Sequence, residues 1–290
     1  MSGEAWGRWG AEDEVGALNQ IGAEQVRHAA GLVRQGRVLS LAQPISSAMP
    51  VPQHRSGPAH FMLRDGGDYA AGGRRPGGFQ FAEDAIMLPL HAGTHVDALC
   101  HCWYDDQLYN GFSGHEVRSR GAARCGMEKM PPTVCRGVLL DCTDSEGRLP
   151  PDGMAIDADA LDAVIERSGV SIEPGDAVLL RTGWLERQEG AAMPDFNREP
   201  GIDESAALLL AQRGAALVGA DNFAVEVLPF AEGMVFPVHQ RLIRDHGIPL
   251  LEGLVLRELA AVADGPFLFI LAPLAIVGAS GSPATPLAVL

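Results

Sequence analysis

The stretch "LPLHAGTHVDALCHCWYD", Leu88 to Asp105, places three of the chain's nine histidines and an aspartate around a Gly-Thr pair. In an extended chain alternate side chains point the same way, so His91, His95 and Asp97 would share one side. A straight strand, at about 3.3 Å per residue, would separate the first from the last by roughly 20 Å. The chain must therefore bend to form one site, and Gly93 is where a bend costs least.

The residue types in this stretch are those that bind a catalytic metal ion. Imidazole nitrogen with carboxylate oxygen suits Zn²⁺, Mn²⁺ or Fe²⁺, and three protein ligands with open positions are typical of a catalytic site. His91, His95 and Asp97 are the predicted ligands. His101 is left over and is predicted to act as a general acid and base. A lone histidine is more often a surface or core residue, but the ordered set favours a metal site.

The segment "HAGTHVDALCH", residues 91–101, resembles the H-x-G-T-H-x-D-x-P-x-H signature of the cyclase-type metal-dependent hydrolases. That family includes the bacterial kynurenine formamidases and is similar to isatin hydrolase. Leu99 stands where the signature has proline, and we expect this to alter the loop or the pocket wall rather than the ligands. The resemblance continues in "WGAEDEVGALNQI" (9–21), "DNFAVEVLP" (221–229), "VHQRLIRDHGIPLLEGL" (238–254) and "GSPATPLAV" (281–289).

The resemblance implies a site built from two segments. In the family, the residues that match His91, His95 and Asp97 bind metal, and the one that matches His101 donates and accepts the proton. The counterparts of His239 and Glu252 lie at the same site, where they hold a second ion in two-metal members, so the resemblance implies one or two divalent ions, Zn²⁺ or Mn²⁺. The residues alone give Glu252 weaker support: it interrupts the apolar run "IPLLEGLVL", where an unpaired carboxylate is costly to bury.

Aromatic residues are candidates for a substrate pocket. Trp103 and Tyr109 follow His101 closely, and they form either an aryl pocket or ordinary core. Trp9 and Phe223 are candidates by their position in the family.

The predicted reaction is hydrolysis. A metal with nitrogen and oxygen ligands lowers the pKa of bound water to about 7 and polarises a carbonyl. This suits cleavage of an amide, formamide or lactone, and the resemblance suggests an arylformamidase of tryptophan catabolism or an enzyme similar to isatin hydrolase. No G-x-S-x-G, G-x-G-x-x-G or P-loop motif is present. The alternatives are a non-catalytic ligand-binding protein with a structural metal and a lactone hydrolase or cyclase of another substrate.

Helix-like and strand-like patterns alternate without a linker, which predicts one domain over residues 1–290. We expect a mixed α/β fold with a mostly β core flanked by helices, and the resemblance implies the swivelling-domain type. A net charge of −15 argues against a nucleic-acid partner. The start of the chain lacks the apolar region of a signal peptide, and the apolar run 266–279 is too short to span a bilayer. We therefore expect a cytoplasmic protein without a membrane partner.

The five cysteines are predicted to be reduced structural thiols rather than metal ligands, although Cys100 and Cys102 flank His101. The family's members form homo-oligomers, which implies a homodimer or homotetramer. The glycine-rich segment 64–80 and the terminal Trp6 and Trp9 are candidates to close the pocket across a subunit boundary. The alternative is that both tryptophan rings pack on their own subunit.

Overall fold

Strands from both ends of the chain meet in one nine-stranded sheet in the computed structural model, which describes residues 3–73, 75–188 and 194–290. The strands are β1 (Val38–Ser40), β2 (Ala59–Arg64), β3 (Glu83–Met87), β4 (His95–Asp97), β5 (Val117–Arg118), β6 (Gly121–Ala122), β7 (Thr133–Asp141), β8 (Ala155–Ile156), β9 (Ala177–Arg181), β10 (Gly201–Ile202), β11 (Leu217–Ala220), β12 (Leu250–Glu252), β13 (Phe267–Leu271), β14 (Gly281–Pro283) and β15 (Leu287–Val289). The helices are α1 (Ala23–Ala30), α2 (Gly66–Ala70), α3 (Ala158–Ser168), α4 (Trp184–Gln188), α5 (Glu204–Gln212), α6 (Pro237–His239) and α7 (Arg257–Val262), and a π-helical segment, Gln240–Asp245, continues α6.

The order of the large sheet is β1-β15-β13-β7-β9-β11-β12-β4-β14. Strands β7, β9, β11 and β12 run parallel at its centre, and their neighbours on both sides run antiparallel. Strands covered on both faces are continuous apolar runs, and β11 is buried along its whole length. The predicted mixed α/β fold with a mostly β core flanked by helices is confirmed.

Helix α3 covers the sheet, and its sequence explains where it begins, which face it buries and where it ends. The side chain of Asp157 caps its first turn by accepting a hydrogen bond from the Ala160 backbone amide. Leu161, Val164 and Ile165 recur at helical spacing and are buried, and α3 contacts β7. The chain leaves the helix at Gly169 in the left-handed conformation.

The N-terminal helix is shorter in the structure than the sequence predicts. Residues 11–36 have a helix-like pattern through Val26, Ala30 and Val33 that ends at Gly36, but only Gly16–Gln20 (a 3₁₀ turn) and α1 are helical. The carboxylate of Asp13 accepts hydrogen bonds from the backbone amides of Val15 and Gly16, and this local turn competes with a helix.

Strands β2 and β3 pair in a separate antiparallel hairpin around the glycine-rich segment. Phe61, Leu63, Ile86 and Met87 are all exposed on it. These apolar side chains have no cover within the described chain. A lone two-stranded hairpin is marginally stable, so a cover would stabilise it.

The apolar run 266–279 supplies β13, in which Phe267, Phe269 and Leu271 are buried. A continuous apolar run of this length predicts a buried strand, and the structure has one there. In the part of the chain that the structure describes, no helix has the length and apolar character needed to cross a bilayer.

Candidate metal centre

Strand register brings the two predicted segments together. Strand β4 lies between β12 and β14, with His95 opposite Glu252 and Asp97 opposite Gly281. The Nε2 atom of His95 is consequently 3.1 Å from Oε2 of Glu252. A Cβ atom on Gly281 would lie 2.6 Å from Cε1 of His91, so the missing side chain makes room for that imidazole ring.

The Gly-Thr pair forms the bend that the histidine spacing requires. Gly93 has a φ of +62°, in the left-handed region that glycine adopts easily, and an added Cβ would meet the Met49 sulfur at 2.7 Å. The hydroxyl of Thr94 donates a 2.7 Å hydrogen bond to the Gly253 carbonyl and accepts one from the Gln43 amide. The bend is thereby tied to the residue that follows Glu252.

Asp97 lies at the centre of the cluster and is completely buried. Its Oδ1 atom is 2.7 Å from Nδ1 of His91 and 3.7 Å from Nε2 of His95. Its Oδ2 atom is 3.7 Å from Nε2 of His239 and 4.0 Å from Nε2 of His101. All six residues predicted for the metal and the proton transfer therefore meet around one carboxylate, while their roles remain a prediction.

Two buried atoms of this cluster form no hydrogen bond within the described residues: Nε2 of His95, whose closest ion-pair contact is the one at 3.1 Å with Glu252, and Oδ2 of Asp97. Nδ1 of His95 lies 2.9 Å from the Gly93 carbonyl, to which it must donate, so Nε2 is the atom directed at the carboxylates. Unsatisfied buried polar atoms are rare and costly. A divalent cation would resolve both, so the residues present fit a metal ion.

The donor atoms form two overlapping groups. His91, Asp97 and His101 offer atoms within 4.8 Å of one another, and so do His95, Asp97 and Glu252. The Asp97 carboxylate is common to both groups. This arrangement is compatible with one ion or with two.

The charges in the cluster shift pKa values in opposite directions. Burial acts to raise the pKa of Asp97, but the charges of His101, His91 and His95 outweigh it and hold that pKa below its usual range. Burial lowers the pKa of His101 to about 4, against the opposing charge of Asp97. At neutral pH Asp97 is therefore a carboxylate and His101 a neutral imidazole.

His101 differs from the other histidines in its access to solvent. Its side chain is 27% exposed, whereas those of His95 and His239 are 2% and 5% exposed. Its ring stacks on His91 with centroids 4.1 Å apart, and both rings line the pocket. A ring in this place can exchange a proton with a bound molecule, as predicted for the general acid and base.

Glu226, which orients His239, was not among the residues predicted from the sequence. Its Oε1 atom lies 2.5 Å from Nδ1 of His239, and its carboxylate also accepts hydrogen bonds from the Val238 and His239 amides. Metal-binding histidines commonly donate their second nitrogen to a carboxylate in this way. A lone glutamate in the run "AVEVLP" carried the same signal that was used for Glu252.

A pocket of about 340 Å³ opens beside the cluster. Its lining combines cluster residues, aromatic rings and one arginine: Arg55, His91, His101, Cys102, Trp103, Phe223, Ala224, Phe236, His239 and Glu252. Trp103 and Phe223, which were substrate-binding candidates, lie in this lining. Arg55 and Phe236 were not singled out from the sequence, and "QHRSGP" contains no signal for the arginine.

The other two aromatic candidates, Tyr109 and Trp9, do not line this pocket within the described chain. Tyr109 is fully buried in the core, and its hydroxyl donates to Asp13. Trp9 packs partly buried against the core, beneath the Arg8 guanidinium. Both rings contact other residues of this chain, and their role in substrate binding stays a prediction.

The remaining predictions about this region concern thiols and Leu99. All five cysteines are free, and none belongs to a metal-donor group within the described residues. Burial raises the pKa of Cys102, in the pocket lining, to about 11. Leu99 is buried in the core rather than in the pocket wall.

Comparison with known proteins gives a consistent family. The Cyclase family model matches residues 39–227. A crystal structure of a novel cyclase is 36% identical, covers 99% of this chain and 98% of its own, and has a TM-score of 0.89. Among curated proteins, none matches this chain.

Two further solved structures share the fold at lower identity. A potential metal-dependent hydrolase with cyclase activity is 24% identical, with 87% of this chain and 98% of that chain covered and a TM-score of 0.58. Isatin hydrolase A from Labrenzia aggregata, bound to benzyl benzoate, is 21% identical, with 90% and 94% covered and a TM-score of 0.66.

Proposed function

Because this chain belongs to the cyclase family, we propose that it is a metal-dependent hydrolase that cleaves an amide, formamide or lactone bond. The observation that carries the proposal concerns two buried atoms at the edge of an open pocket, Nε2 of His95 and Oδ2 of Asp97. Within the described residues neither forms a hydrogen bond, although both face charged groups of the cluster. The similarity to isatin hydrolase and to a potential metal-dependent hydrolase supports the same class. We further propose an aryl amide or aryl formamide as the substrate.

The proposed ligands are His91, His95 and Asp97, with His239 and Glu252 beside them. A divalent ion there, Zn²⁺ or Mn²⁺, would supply Lewis acidity and a water nucleophile at neutral pH. The cysteines do not join the donor set, and a structural zinc site would typically include them. This favours the catalytic proposal over a structural metal.

His101 is proposed to carry the proton. Its pKa is lowered, so the neutral ring can accept a proton from the attacking water and return it to the leaving nitrogen or oxygen. Its ring stacks on His91 at the pocket, and the buried Asp97 carboxylate lies 4.0 Å from its Nε2 atom. Glu226 orients His239 from behind, through Nδ1.

The proposal is tested by loading the protein with Zn²⁺ or Mn²⁺ and screening N-formylkynurenine, isatin and a set of small lactones. We expect turnover of at least one class, loss of turnover on chelation and recovery on adding the ion back. Elemental analysis gives the number of ions per chain. A bound ion without hydrolysis of any substrate class would support the non-catalytic ligand-binding alternative.

Two expectations from the sequence remain proposals. We propose that the protein is a homodimer or homotetramer. The cytoplasmic location expected from the sequence also stays a prediction.

A further inference from the structure

Arg55 is a cation in the pocket to which the described residues supply no anionic partner. One of its Nη1 hydrogens is donated to the backbone carbonyl of His91, and the guanidinium lies 5.2 Å from the centroid of the Phe223 ring. Within residues 3–73, 75–188 and 194–290, no carboxylate forms a hydrogen bond or an ion pair with it. A guanidinium carries five N–H donors, so most of them are available to a molecule in the pocket.

The carboxylates nearest to Arg55 are already engaged. Glu252 lies between His95 and His239, at 3.1 and 3.3 Å, and Asp97 contacts the histidines around it. Both attract the guanidinium through space without contacting it. A divalent ion in the cluster would add positive charge beside the arginine, which favours an anion arriving with the ligand.

The pocket around Arg55 is aromatic. Phe223 lies against the guanidinium, Phe236 packs 5.0 Å from the His239 ring, and Trp103 is 39% exposed at the wall. A pocket of about 340 Å³ accommodates a compound built on a small ring system. The lining therefore combines surfaces for an aryl ring with one fork of hydrogen-bond donors.

We propose that Arg55 is a specificity-determining residue that binds a carboxylate on an aromatic substrate, separate from the bond that is cleaved. The inference rests on the proposed function, because a substrate implies a reaction. Binding of the carboxylate by Arg55 can nevertheless be measured without turnover. The planar guanidinium matches a carboxylate through two parallel hydrogen bonds, which lysine cannot reproduce. The bond to the His91 carbonyl fixes the arginine next to the cluster.

The test compares benzoate with nitrobenzene, which has the same shape and no charge. Both are titrated by calorimetry into the Zn²⁺-loaded wild type and the Zn²⁺-loaded variants Arg55→Met and Arg55→Lys. We expect Arg55→Met to weaken benzoate binding by roughly 10- to 100-fold, as for the loss of a charge-assisted hydrogen bond, and to change nitrobenzene binding by less than about threefold. Arg55→Lys should recover only part of the benzoate affinity.

The matched control is Arg118→Met, an exposed arginine that likewise donates to a backbone carbonyl and lies outside the pocket lining. It should leave both affinities unchanged. Equal loss of benzoate and nitrobenzene binding in Arg55→Met, or a loss of zinc, would assign Arg55 to holding His91 and overturn the proposal. Unchanged benzoate binding would also overturn it, because the carboxylate would then bind the metal. The proposal would also be overturned if the wild type did not bind benzoate.

A second measurement separates this inference from the proposed function. Turnover of 2-formamidobenzoate and of formanilide, which differ only in the carboxylate, is followed in the same proteins. If the two compounds are hydrolysed, Arg55→Met should raise KM for 2-formamidobenzoate, while kcat for that compound and the kinetics with formanilide change little. If neither compound is hydrolysed but the benzoate result holds, the failure lies with the reaction class and Arg55 keeps its role.

Discussion

The Nδ1 atom of His239 lies 2.5 Å from Oε1 of Glu226, and both side chains are buried. Because the carboxylate can only accept, the ring must donate from Nδ1 and direct Nε2 toward Asp97 and Glu252. A buried glutamate thus fixes which nitrogen of His239 faces the cluster.

Glu226→Gln should weaken metal binding by about 10- to 100-fold, the usual effect of removing a carboxylate that orients a metal-bound histidine. Competition with a chromophoric chelator measures the affinity. Glu258→Gln is the control, since Glu258 is exposed and pairs with Arg37 at the surface. Equal affinity in wild type and Glu226→Gln would mean that His239 does not bind the ion.

His101→Ala should retain the metal and lose turnover by about 10²- to 10⁴-fold, as for the loss of a general acid and base. His95→Ala should instead lose the metal, because its Nε2 is a buried atom directed at the carboxylates. Elemental analysis and kinetics on both variants check this division. If both were equally depleted of metal, His101 would be a ligand.

Metal removal should destabilise the fold. Without the ion, the buried Asp97 and Glu252 lose a compensating charge. An ion at 1,000 times its Kd stabilises the folded state by about 4 kcal/mol. For a chain of this size each kcal/mol is roughly 1.5 °C in Tm. Calorimetry before and after chelation should therefore show a fall of about 6 °C that Zn²⁺ reverses. Asp97→Asn should respond far less to added Zn²⁺, and an equal response would exclude Asp97 from the site.

Deletion of residues 1–10 should lower Tm. The Trp6 indole donates to the Arg244 carbonyl, and its ring lies 4.3 Å from the buried Arg244 guanidinium. The Asn110 side chain binds the backbone of Gly7 and Gly10. Trp6→Ala alone should cost about 2 kcal/mol through lost packing and cation–π contact. Unchanged Tm, turnover and mass in the deletion would leave the segment without a role.

The apolar hairpin of β2 and β3 is the surface that we expect to associate. Phe61 and Ile86 are 55% and 51% exposed, and a second copy of the chain would cover them. Light scattering at micromolar concentration should give a dimer or tetramer, and the double variant Phe61→Asp with Ile86→Asp should give a monomer. Val277→Asp, at an 80% exposed apolar position elsewhere, is the control. A monomeric wild type would refute the assembly.

The sequence alone was sufficient to predict a feature when its signal is periodic or lies within a few neighbouring residues. The alternation of His91, His95 and Asp97, with a bend at Gly93, can be read directly because neighbouring residues in a strand have fixed relative directions. The helical spacing and capping residue of α3 are of the same kind. Glu252 was also accessible, since a carboxylate inside an apolar run requires a partner.

Tertiary structure decided the features that depend on distant segments. The register of β4 against β12 and β14 sets Glu252 opposite His95 and Gly281 against the His91 ring, and no local pattern contains that register. Aromatic character alone could not separate Trp103, at the pocket, from Tyr109, whose hydroxyl is bonded to Asp13 in the core. The sequence by itself therefore determined which chemistry the chain carries. Packing between segments decided which ring faces the pocket, which nitrogen of His239 faces the carboxylates, and that the Arg55 guanidinium, without a carboxylate partner among the described residues, stands beside them. The physical reason is that side-chain surroundings are set by contacts across the sheet rather than along the chain.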